Sequence, residues 1–151
     1  MEAEPMKVEE AIERLNEALP LQMRSSLQFT LLAGTSLGVE AQAVALQLQA
    51  YGAAELDDVR RLTEKIVTLG GRPSTDVAPL KRLDLDAAGL DTLIDDETEA
   101  AEALREVIPA TGQRARSEAL EHLLEHAILR KQNQIDFLIR ARGKAEPDPG
   151  R

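Results

Sequence analysis

The sequence predicts an all-α protein, a single bundle of four long helices joined by two short turns and one long crossover between helices two and three. Three observations carry that expectation. The chain is 43% apolar and 30% charged over 151 residues, yet holds only one tyrosine and two phenylalanines, a Leu- and Ala-rich supply that suits close helix packing and poorly suits a sheet. Apolar residues recur at alternating spacings of three and four, the period of a helix face. Glycine and proline interrupt that period at a few places, where glycine can cap a helix and proline cannot extend one.

The first helix is expected from about Lys7 to Leu32, ending before Gly34 and Gly38, with a kink at Pro20, which has no amide hydrogen to donate. The second runs from Val39 to Leu69 and stops at Gly70-Gly71-Arg72-Pro73. Residues 74–86 hold turn formers and the short segment Leu80-Lys81-Arg82-Leu83, which makes a long crossover. Helical spacing resumes from Ala87 to Ile108, breaks at Pro109 and Gly112, and returns from Gln113 to Arg142. The expected organisation is a flexible N-terminus over 1–6, one helical domain over 7–142 and a disordered tail over 143–151.

Charge and composition exclude several functions. A net charge of -9 disfavours nucleic acid and anionic membrane surfaces. The absence of cysteine removes disulfides, thiolate metal sites and cysteine nucleophiles. The acidic start, Met1 to Glu10, has no apolar targeting core, and no apolar run approaches spanning length. The expected location is cytoplasmic.

Four inward-facing lines follow from the helical period, and each is broken by polar residues. In the first helix Val8, Ile12, Leu15, Leu19 and Phe29 continue through Gln22 and Ser26. The second, with Leu48, Tyr51, Val59, Leu62 and Ile66, is broken by Glu55, and Asp58 lies one turn further on. Glu97 interrupts the third line, while Lys131 and Gln134 interrupt the fourth. A buried charge costs several kcal/mol unless paired or bound to metal, so these interruptions imply one polar cluster inside the bundle. Glu-x-x-Asp at Glu55 and Asp58 has the spacing of a two-metal carboxylate site; Lys131-x-x-Gln134 has the same spacing and different chemistry.

Other candidates carry less. His122 and His126 are four apart but off the inward line, and read as exposed or interface histidines. Asp95, Asp96 and Glu99 read as an ordinary solvated face, and Ser25 and Ser26 have no evident neighbouring base. No phosphate-binding loop is present. A second apolar set on the first two helices, Leu21, Leu27, Leu31, Val39, Ala43 and Leu46, suits a homodimer face.

Local motifs resemble those of bacterioferritin and its ferritin-like relatives. They are Leu15-Asn16, Glu64-Lys65-Ile66-Val67-Thr68-Leu69 running into Gly71 and Pro73, Leu104-Arg105-Glu106-Val107-Ile108, and Ile135-Asp136-Phe137-Leu138. The resemblance implies a ferritin-like bundle and points to where two irons would be held. Glu97 and Glu55 match ligands outright; Asp58 stands for a histidine, Gln22 for a glutamate, and Lys131 and Gln134 for a glutamate and a histidine. A register shifted by one residue would place Arg130 and Asn133 there instead. Phe29 replaces a tyrosine found near the site in many relatives, and Leu56 replaces the methionine that ligates haem, so no haem is expected.

A protonated lysine cannot ligate a metal and would repel two dications. The resulting expectation is a bacterioferritin-like protein with an altered or lost oxidase site, a dimeric binding or scaffold module with no assigned catalytic residue and no required cofactor. The alternative is a divergent bacterioferritin that binds, oxidises or stores iron, or holds another single divalent metal, through Glu55, Asp58 and Glu97.

Overall fold

The computed structural model describes residues 5–112 and 115–143, the side chains of 115 and 116 excepted. Residues 1–4 of the expected flexible N-terminus and 144–151 of the expected tail lie outside them. Four long helices occur among the described residues: α1 (Val8–Thr35), α2 (Val39–Thr68), α3 (Ala87–Arg105) and α4 (Ala115–Ala141). α3 stops at Arg105, short of the expected end at Ile108, and a short 3-10 turn, Ile108–Ala110, follows it. Proline at that turn explains the early stop.

Each helix has a local cause. Asp86 caps α3, its side chain accepting from the Gly89 amide at 2.8 Å. Gly70, with φ +92°, turns the chain out of α2 in the left-handed region that glycine adopts at least cost. α1 continues through Pro20, which lies inside the helix. Gly52 lets α2 approach α1 closely, since a Cβ there would lie 2.6 Å from the Thr30 hydroxyl and 3.2 Å from the Ser26 carbonyl.

Two apolar clusters form the core. One joins Leu15, Leu19, Leu62, Ile66, Leu104 and Leu124, with Met6 packed on its edge. The other joins Phe29, Leu32, Leu48, Leu90, Leu93 and Leu138. Their membership fixes directions: α1 and α4 run one way, α2 and α3 the other. Packing is most extensive between α1 and α2, then α3 and α4, then α1 and α3, whereas α2 and α4 touch sparsely.

The crossover, residues 69–86, returns along α1 as an extended strap. Asn16 donates to the Arg72 carbonyl at 3.0 Å and accepts from the Ser74 amide at 2.8 Å. The Ala78 amide donates to Pro20 O at 3.1 Å, and the Lys81 amide to Gln28 Oε1 at 2.8 Å. These bonds hold a segment without regular structure against a helix, satisfying backbone groups that a sheet or helix would otherwise satisfy.

Candidate functional site

Between the two apolar clusters lies a polar layer drawn from all four helices. Gln22, Glu55, Asp58, Glu97, Lys131 and Gln134, each named from the inward lines, are all buried, with exposures between 0 and 1%. The helical period brings them inward, because each continues or adjoins the inward-facing line of its helix.

Lys131 is the centre of this layer. Its Nζ lies 2.8 Å from Glu55 Oε2, 3.5 Å from Glu97 Oε2 and 3.3 Å from Ser25 Oγ. Gln22 Nε2 donates to the same Glu55 Oε2 and to the Glu55 carbonyl, the latter at 3.3 Å. Ser25 Oγ donates to Glu97 Oε2. At the edge, Arg130 pairs with Asp58 and lies 3.8 Å from Glu55 Oε1, with about a quarter of its side chain exposed (23%). Both residues of the ambiguous register thus engage carboxylates: Lys131 from inside and Arg130 from the rim. Asn133, by contrast, is exposed.

Several expectations change here. Ser26 is buried, but its hydroxyl donates to the Met23 carbonyl of its own helix at 2.8 Å. Ser25, one residue earlier, is the serine that enters the layer, and it has both a carboxylate and an amine beside it. Asp96, expected on a solvated face, is 6% exposed. It accepts from Lys81 Nζ of the strap at 2.7 Å and lies 3.6 Å from Arg24, which also donates to Glu99 at 3.0 Å. This second network clamps the strap over α1 and α3. Neither Arg24 nor Asp96 lies on an inward line, so only the path of the crossover exposes their role. His122 and His126 are exposed.

The layer's charges do not balance if every group is ionised: Glu55, Asp58 and Glu97 face Lys131 and Arg130. Burial pushes the Glu97 carboxyl above its ordinary range, and the charge of Glu55 adds to the rise, while Lys131 and the Ser25 hydroxyl oppose it. Burial also works against the Arg130 guanidinium, but Asp58 and Glu55 outweigh it and hold that group above its usual value.

A raised carboxyl pKa makes the folded protein retain a proton that the unfolded chain has lost. Stability from this group is therefore complete below the ordinary glutamate range and is lost as pH rises from that range to the folded value. Glu97→Gln is expected to remove this loss. The stability difference, variant minus wild type, should grow with pH across that window in urea titrations; a difference that shrinks with pH would contradict the assignment.

The donor set does not fit two divalent ions. Glu55 Oε2 is occupied by an ammonium and an amide, Asp58 is engaged by Arg130, and Gln134 offers only a weakly ligating amide. Among the described residues no group of three or more His, Asp or Glu side chains is arranged to hold a metal ion. Several acceptors nevertheless lack a hydrogen-bond partner among the described residues: Glu55 Oε1, Asp58 Oδ1, Glu97 Oε1 and Gln22 Oε1, together with both amide atoms of Gln134.

A family model for the ferritin-like domain matches residues 12–144. No curated protein sequence matches the chain. Among solved structures, a ferritin-like diiron-carboxylate protein from Bacillus anthracis str. Ames superposes with a TM-score of 0.78 at 25% identity, over 90% of this chain and 97% of that one. Rhodobacter capsulatus bacterioferritin, described with a metal-free dinuclear site and haem iron, gives 0.77 at 19% identity, over 88% and 83%. The latter likeness speaks to the fold alone. With four antiparallel helices, one long crossover and a family match over nearly the whole bundle, the chain belongs to the ferritin-like domain family.

Proposed function

We propose that this chain is a ferritin-like protein whose iron site has been replaced by an internal ion-pair layer, and that it acts as a dimeric binding or scaffold module rather than an iron oxidase. The observation that carries this reading is the Lys131 ammonium, fully buried and 2.8 Å from Glu55. A fixed positive charge supplies there what a metal pair would supply, and its electrostatic repulsion opposes a second and third cation nearby. The partner in this reading is a second copy. Support comes from the outer face of α1 and α2, where Leu27, Leu31, Leu46 and Leu56 are 40–68% exposed, an apolar set of the kind that marks an interface. No helix of the described residues is long and apolar enough to cross a membrane, and the acidic chain fits an aqueous, cytoplasmic setting.

A second reading is favoured by the unpartnered oxygens of Glu55, Asp58 and Glu97. With Lys131 moved aside, those three carboxylates would offer oxygen ligands for one divalent ion, iron included. Elemental analysis after iron supplementation separates the two. The wild type is expected to carry no stoichiometric iron, whereas Lys131→Glu/Gln134→His is expected to gain it. Two irons per wild-type chain would overturn the first reading. Sedimentation equilibrium on the same preparations is expected to give a dimer mass, and a monomer at micromolar concentration would remove the interface.

A further inference from the structure

We propose that the cleft between α1 and the strap is a binding site for a short aliphatic carboxylate. The inference goes beyond the reading above, since it uses no residue of the ion-pair layer. The cleft holds about 290 Å³ and is bounded by Gln28, Leu31 and Leu32 of α1 and by Leu80, Arg82 and Leu83 of the strap. That volume sits at the lower end of the range for ligand pockets, roughly 300 Å³ and upward. A short chain fills it.

Two side chains select the polar end of the ligand. Gln28 is 2% exposed, and its Oε1 accepts from the Lys81 amide at 2.8 Å. A backbone N–H only donates, so this bond fixes the oxygen on the strap side and leaves Nε2 as the other end of the amide. Nε2 makes no hydrogen bond among the described residues, which puts a buried donor without an acceptor in the wall of the cleft. An acceptor supplied by a ligand removes that cost. Arg82 lines the same cleft, is exposed and makes no ion pair among the described residues. The charges around it are committed: Lys81 pairs with Asp96 at 2.7 Å and Arg24 with Glu99 at 3.0 Å. Asp84, two residues beyond Arg82, is not part of the wall. The uncommitted charge at the cleft is therefore positive, and its complement is an anion.

The remaining wall selects the rest of the ligand. Leu31 and Leu80 are 51% and 46% exposed, whereas Leu32 and Leu83 join the apolar cluster beneath them. An aliphatic chain laid between them removes leucine surface from water. A carboxylate suits the polar end, because its two oxygens accept from the Arg82 fork and the Gln28 amide. A phosphate brings more charge and more acceptors than one guanidinium and one amide satisfy. The strap is already held by the Lys81–Asp96 pair and by the amides of Ala78 and Lys81, so little ordering accompanies binding.

Heteronuclear NMR of the full chain, titrated with sodium hexanoate, tests the proposal. Saturable shifts are expected at one site per chain, in the amides of residues 28–32 and 80–83, with hexylamine giving none. Arg82→Gln should weaken binding about tenfold, the effect of losing one charge-assisted hydrogen bond. Gln28→Glu keeps the acceptor for the Lys81 amide but replaces the donor with a negative charge, and should abolish saturation while leaving hydrogen exchange in the strap unchanged. No saturable shift with millimolar hexanoate overturns the site. Equal binding of hexylamine, or of hexanoate by Arg82→Gln, overturns the charge assignment and the proposal with it, and tetradecanoate binding far more tightly would overturn the short chain. Leu31 also belongs to the apolar face assigned to a second copy, so sedimentation equilibrium accompanies the titration. A dimer that binds no hexanoate defeats only the ligand; a monomer that binds it defeats only the second copy.

Discussion

Replacing Lys131 with methionine is expected to lower the free energy of unfolding by about 3–5 kcal/mol, the usual cost of removing one partner from a buried ion pair. The side chain is fully buried and contacts Glu55, Glu97 and Ser25. Its loss leaves the fully buried Glu55 and Glu97 carboxylates without their ammonium, on the side of the bundle where α2 and α4 pack least. Methionine fills similar volume, so the effect reports charge rather than a cavity. Adding Glu55→Met should recover much of the loss, because an apolar pair of matched volume no longer buries an unpaired charge. Urea unfolding of the two single variants and the double variant checks this. A Lys131→Met protein as stable as the wild type would mean that the amine contributes nothing to the core.

Gln134→Leu is expected to stabilise the protein by about 1–3 kcal/mol, the penalty of a buried polar group left unpaired. Gln134 is 1% exposed, and neither amide atom has a hydrogen-bond partner among the described residues. Leucine suits the site because the next inward residue, Leu138, already belongs to an apolar cluster. The check is a higher urea midpoint with an unchanged slope. A lower midpoint would show that the amide is bound by something the folded protein needs, and would make Gln134 a ligand-binding residue.

Much of this layer was legible before the structure. Gln22, Glu55, Glu97, Lys131 and Gln134 interrupt apolar lines, and the period that reveals the interruption also turns the residue inward. Asp58 was legible too, as the partner one turn from Glu55. The pairing was not. Ser25 and Ser26 are adjacent, and which of them enters the layer depends on the rotation of α1 against α3, which a sequence period leaves uncertain by a residue. Arg130 reaches Asp58 from a part-exposed position, so no break in the apolar line announced it.

Helix number, the crossover and the depth of the polar residues are properties of the sequence alone, because spacing, glycine and proline act within a few residues of one another. The path of the strap over α1, the burial of Asp96 and the company kept by Lys131 were decided only in the folded molecule. Each joins residues distant along the chain, such as Lys131 with Glu55 at a separation of 76. Contacts of that kind depend on the relative rotation and height of packed helices, which local periodicity does not encode.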